Sequence, residues 1–177
     1  MTSHTYSDLF SIRVAREDDL PYICLISDDV MMPLIESIEH TYVAVNDDDV
    51  PVGFTRIKLV EQECGNDVKA DSGKEPEDRH GTPRLACSSV PYVYPVAVLR
   101  SWQGYGVGAA LIAHTLERYR ELRLVACTPS RGFYERLDFQ KIPWEEIAPE
   151  IASDCDQCPH TSTCTPQPFL KQSKECR

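Results

Sequence analysis

Apolar positions along the chain follow two periods. Ile12 to Ala15, with Arg13 interleaved, predicts a short first strand. Arg16-Glu-Asp-Asp-Leu-Pro then has the composition of a helix start. Glu17, Asp18 and Asp19 stand where the helix dipole favours carboxylates, and Pro21 comes early enough to be tolerated. Leu20, Ile23, Cys24 and Ser27 form one modest face of that helix, and Asp28-Asp29 end it. From Met31 to Glu39 the pattern fits a second short helix or a loop equally. Thr41 to Val45 and Val52 to Val60 read as strands of an antiparallel hairpin around Asn46-Asp-Asp-Asp. Residues 61 to 86 are polar, charged and broken by Gly and Pro, which predicts an exposed insertion between strands. No internal repeat is visible.

Ser89 to Leu99 is β-rich, but Pro91 and Pro95 lie inside it and demand an edge or a bulge. It runs into the glycine-rich stretch Gln103-Gly-Tyr-Gly-Val-Gly108. Leu111, Ile112, Thr115, Leu116 and Tyr119 then recur at helical spacing. Strand, glycine turn and helix in this order present unpaired N–H groups at a helix N-terminus, which attracts anions. Glycines at 104, 106 and 108 do not fit Gly-x-Gly-x-x-Gly, and no Gly-Lys-Ser/Thr follows, so neither a dinucleotide fingerprint nor a nucleotide P-loop is present. Gln103, Gly106 and Gly108 do fill Gln-x-x-Gly-x-Gly. This resembles the acyl-coenzyme A signature of the GNAT superfamily of N-acyltransferases. A diphosphate held there approaches the main chain closely, where a Cβ at 106 or 108 would obstruct it.

A second block carries the same resemblance. Arg123 to Cys127 predicts a strand, and Thr128 is placed to cap a helix with Pro129 at its first position. Phe133, Tyr134, Glu135, Leu137 and Phe139 match the family's short helix ending in Phe-Tyr-Glu-x-Leu-Gly-Phe. Asp138 replaces the Gly, at a position expected to be left-handed. The resemblance covers about residues 12 to 142. It implies an α/β fold with a mixed, mostly antiparallel twisted sheet flanked by helices, bulged and splayed at the cofactor cleft. On it, residues 1–146 form the acetyltransferase domain, and 147–177 a Cys-rich C-terminal tail.

The resemblance also implies the chemistry. Backbone at Val96, Ala97 and Val98 pairs with pantetheine. The amides of Gln103, Gly104, Tyr105, Gly106, Val107 and Gly108 hold the diphosphate, Ser130 touches the cofactor, and a strand amide, that of Val98, polarises the thioester carbonyl. Tyr134 matches the usual general acid; a phenol near pKa 10 hands a proton to a departing thiolate and keeps its own at neutral pH. The expected activity is transfer of an acetyl group from acetyl-CoA to an amine by direct attack. The base is not carried over, because Val90 to Leu99 contains no carboxylate. Glu61, Glu63, Asp28 and Asp29 read as surface charges, and His114 as packing or solvent-facing. The missing carboxylate supports an alternative: a non-catalytic coenzyme A-binding or sensor module acting through the tail.

Composition narrows this further. A length of 177 residues suits one domain. The net charge of −10 argues against nucleic acid as a partner. No apolar run reaches the length of about 18 residues that a membrane span needs, and no export signal is seen, so a cytoplasmic protein is expected. There are eight cysteines, which in that setting read as thiols or metal ligands before disulfides. Three cluster in the tail as Cys155-x-x-Cys158 and Cys164. This is a half-site for zinc or another thiophilic metal, with His160 or Cys176 as a fourth ligand, or else a reduced or disulfide-linked loop packed on the domain. The acceptor, a small-molecule or protein amine, and the oligomeric state are not legible.

Overall fold

A computed structural model describes residues 9–35, 37–61, 89–159 and 162–173. The insertion expected over 61–86 lies outside them except for Glu61, as do Glu63, His160 and Cys176. The elements run β1 (Ser11–Val14), α1 (Leu20–Asp29), β2 (Thr41–Val45), β3 (Pro51–Glu61), β4 (Ser89–Val98), α2 (Val107–Tyr119), β5 (Glu121–Ala126), α3 (Arg131–Arg136), β6 (Gln140–Lys141), α4 (Pro149–Asp156) and β7 (Gln167–Gln172). No described stretch between Met31 and Glu39 is helical.

The strands form one sheet in the order β1-β2-β3-β4-β5-β7-β6. Every neighbouring pair is antiparallel except β4 with β5. The mixed, mostly antiparallel α/β fold expected from the sequence is therefore present. The boundary expected at residue 146 does not divide the sheet. Strand β7 inserts between β5 and β6, and Phe169 on it is fully buried. The Cys-rich stretch is thus the connection from β6 to β7, leaving the sheet and returning to it.

Alternation along the strands sorts the core onto two faces. Ile57, Val93, Leu122 and Leu124 pack with Val107, Leu111 and Ile112 of α2 and with Tyr134 of α3. Val43, Val45, Phe54 and Ala97 pack on the other face against Ile23 and Ile26 of α1. Further along that second face, Val60, Val90 and Tyr92 pack against Ile147, just before α4, and Ile151 in its first turn. Helices α2 and α3 therefore cover one face, and α1 and α4 the other.

At its first edge the sheet is held by Asp19. Its carboxylate accepts hydrogen bonds from Arg13 at 2.6 and 3.0 Å and from the Arg16 amide at 2.7 Å. Burial alone would raise its pKa, but these donors outweigh burial and lower it. Asp19 therefore does more than complement the helix dipole.

Candidate active site

Strand β4 carries the irregularity that its prolines demand. Thr55 pairs with Val96 and Ile57 with Val93, so Tyr94 and Pro95 of β4 together oppose Arg56 alone. This is a bulge, with a cis peptide at Tyr94–Pro95. On its other edge, β4 pairs with β5 only at Tyr92 and Arg123. Beyond Tyr92 the two strands part. Val96, Ala97 and Val98 keep their β3 partners but have none on the β5 side. A strand edge without a partner offers backbone donors and acceptors to an extended ligand.

The glycine turn stands at the end of that edge. Gly104 and Gly106 have φ of +86° and +82°, and Gly106 is the N-cap of α2. An added Cβ at either meets nothing within 4 Å, so the backbone angle, not crowding within the protein, calls for glycine there. The first helical hydrogen bond is from the Ala110 amide to the Gly106 carbonyl, and no side chain caps the turn before it. The amides of Val107 and Gly108 precede that bond and are left for an anion. Gly108 is also constrained by packing. A Cβ there would lie 3.2 Å from Phe133 Cζ, so glycine lets the first turn of α2 rest on α3. The Gln103 side chain donates to the Val98 carbonyl at 3.1 Å and ties the turn to the strand. Tyr105 is partly exposed against the Trp102 ring. Asp29, weighed as a base, instead accepts the Arg100 amide at 2.7 Å and fixes the chain entering the turn.

Tyr134 lies in the α2 and α3 layer, packed against Phe133, Phe139 and Phe169. Burial, and then the neighbouring Cys127, raise its phenol above the ordinary value. It is therefore protonated across the neutral range. Asp138 has φ +58°, the left-handed cap expected from the sequence. Ser130 bonds locally: its hydroxyl donates to the Cys127 carbonyl at 3.1 Å and touches the Cys127 thiol at 3.2 Å. Thr128 does not cap α3; its hydroxyl oxygen accepts the Thr165 amide at 2.9 Å, across to the β6–β7 connection. His114 packs against the Tyr42 ring.

The β6–β7 connection is tied down at two further points. Arg123 donates to the Glu146 carbonyl at 2.7 Å, and the Ala148 amide donates to the Tyr92 hydroxyl at 2.9 Å. The same connection borders a cavity of about 420 Å³, lined by Val93, Val125 and Ile151 together with Tyr94, Trp144 and Asp154. The sequence reading missed Asp154, because nothing local marks a carboxylate on a helix that the sheet topology carries to the gap.

Cys127, Cys155, Cys158 and Cys164 also line this cavity. The metal expectation for Cys155, Cys158 and Cys164 finds no support. Among the described residues, no three His, Cys, Asp or Glu side chains are placed to hold a metal ion. Burial first, then neighbouring Cys164 and Cys158, raises the Cys155 thiol. No helix among the described residues is long and apolar enough to cross a membrane.

Comparison with known proteins agrees with this architecture. The model of the acetyltransferase (GNAT) family matches residues 6–139. The N-acetylglutamate synthase of Neisseria gonorrhoeae, solved with coenzyme A and N-acetyl-glutamate, superposes with a TM-score of 0.63 at 18% identity, over 94% of this chain and 35% of that one. The chain thus spans about a third of that synthase. Arabidopsis thaliana NAA60 with acetyl-CoA gives 0.61 at 16% identity, over 93% of this chain and 99% of that one. Arabidopsis thaliana Naa50 with a bisubstrate analogue gives 0.56 at 16% identity, over 93% and 99%. At such identities the likeness carries the fold.

Proposed function

The chain belongs to the acetyltransferase (GNAT) family of acyl-CoA N-acyltransferases, and from that premise we propose that it moves an acetyl group from acetyl-CoA to a primary amine by direct attack. One observation carries the reading: the β4 edge beyond Tyr92 has no β5 partner and ends at an uncapped helix start. Backbone of Val96, Ala97 and Val98 takes the pantetheine arm as a missing strand would. Main chain from Gln103 to Gly108 takes the diphosphate. The structures of NAA60 with acetyl-CoA and of the synthase with coenzyme A support that choice of co-substrate.

Tyr134 supplies the proton for the leaving sulfur. Its burial keeps that proton from bulk water until a thiolate arrives. The test is thiol release from acetyl-CoA across a broad amine panel, with product identified by mass spectrometry. Acetylated amine from the wild type, nearly lost in Tyr134→Phe, is the expected result. Tight coenzyme A binding with no turnover of any amine would favour the sensor-module alternative.

A further inference from the structure

The cavity beneath Tyr94 is not used by any group assigned to acetyl-CoA. It opens on the α1 and α4 face, opposite the layer that holds Tyr134, and Cys127 borders both. Its walls are mainly aliphatic and aromatic. Asp154 is the informative exception. Its Oδ2 is buried and has no hydrogen-bond partner among the described residues. A buried carboxylate oxygen without a donor is costly, and Asp154 is among the residues that line the cavity. Asp154 also holds the Tyr94 phenol: burial first, then this hydrogen bond, raises the Tyr94 pKa.

The sign of the lining selects the ligand. Asp154 and Asp156 line the cavity, and among the described residues no Lys, Arg or His does. Lys58 lies over the Tyr94 ring at 5.3 Å but pairs with Glu150 at 3.8 Å. Arg56, on the same face of β3, is half-buried and outside the lining. A carboxylate brought in with the amine would meet like charge. Apolar walls disfavour a chain with several ammonium groups.

We propose that this cavity is the acceptor pocket and that Asp154 receives the acceptor's ammonium group, so that the substrate is a small primary amine on an alkyl or aryl body. The proposal rests on the N-acyltransferase reading. The ammonium passes one proton to the Asp154 carboxylate. The freed lone pair forms the N–C bond to the thioester carbon, and the C–S bond breaks with its electron pair on sulfur. Tyr134 protonates that sulfur and regains its proton from the second one lost by nitrogen. The proton on Asp154 goes to solvent, so one proton is released per turnover.

Calorimetric titration of the full chain with phenethylamine, hexylamine, phenylethanol, phenylalanine and a short peptide tests this, beside thiol release with each amine. Phenethylamine and hexylamine should bind about tenfold or more tighter than the alcohol, the amino acid and the peptide. Asp154→Asn should remove about that factor, with coenzyme A titration unchanged within about twofold. Ala152→Phe, which fills the cavity from its wall, should do likewise, and circular dichroism confirms that both variants are folded. Equal binding by Asp154→Asn, or preference for phenylalanine or the peptide, overturns the proposal. Asp154-dependent amine binding without acetylation would leave the pocket standing and remove the transferase reading. Acetylation of amines with full activity in Asp154→Asn would do the reverse.

Discussion

The two sides of the β4–β5 gap are built from different materials. On the α2 and α3 side, the groups proposed to face acetyl-CoA are main chain: a strand edge without a β5 partner and the amides of a glycine turn set by positive φ at residues 104 and 106. On the α4 side they are side chains, Asp154, Tyr94 and Trp144, carried partly on a connection tied down by Arg123, Tyr92 and Thr128. A main-chain site depends on backbone geometry and tolerates changes in neighbouring side chains. A side-chain site takes whatever chemistry its connection carries. The co-substrate side can therefore stay constant while the acceptor side changes. The two should respond separately to mutation, and each prediction below presses on that separation.

The largest effect is expected at Tyr134, where the sides meet through Cys127. No hydrogen bond contributes to the shift of its phenol, so Tyr134→Phe removes an oxygen and leaves the ring packing on Phe133 and Phe139 in place. Turnover should fall about 100-fold, the lower end for loss of a general acid, with acceptor KM and coenzyme A affinity nearly unchanged. Near-normal turnover in stopped-flow assays would remove Tyr134 from the chemistry.

Asp19 is the control far from both sides. Asp19→Asn strips its charge-assisted bonds to Arg13 and should cost about 2 kcal/mol in urea unfolding at neutral pH. The folded-state pKa is lowered, so the wild-type advantage is full above the unfolded carboxyl value near 4. It is lost as pH falls through the lower folded value. The curves of wild type and variant should therefore converge in acid. A change in either ligand's affinity at pH 7 would mean that the gap senses the far edge of the sheet.

Gly106→Ala confines the test to the main-chain side. An alanine at φ +82° costs roughly 1–2 kcal/mol, so coenzyme A should bind about tenfold more weakly. Calorimetry with phenethylamine on the same variant should give the wild-type value. If both titrations weaken together, the turn supports the acceptor pocket as well.

What could be read from the sequence follows the same division. The glycine turn, the bulge at Tyr94 and Pro95 and the left-handed Asp138 are encoded by residues adjacent in sequence, and all are present. The acceptor side was hidden by topology. Gln167-Pro-Phe-Leu-Lys-Gln does not read as an interior strand, because Pro168 removes a ladder donor. Yet β7 lies between β5 and β6, anchored by the buried Phe169. That insertion brings α4, and Asp154 with it, to the gap. Thr128 shows the same limit. Its local signal favoured a helix cap, but the partner it takes is Thr165, distant in sequence and close only after β7 has paired.

Thr128 also gives the smallest and most selective test. Its hydroxyl oxygen accepts the Thr165 amide at 2.9 Å, one residue beyond Cys164 on the cavity wall. Valine keeps the shape and removes the acceptor, leaving a backbone donor without its partner at a cost of about 1 kcal/mol. Only part of that reaches the cavity, because Arg123 and Tyr92 still hold the connection at its other end. Thr128→Val should therefore raise the acceptor KM about threefold, with kcat and coenzyme A affinity unchanged and Thr128→Ser restoring the wild-type value. A fall in kcat would mean that the connection also positions Cys127 or Tyr134, and the two sides would then have to be treated as one mechanical unit.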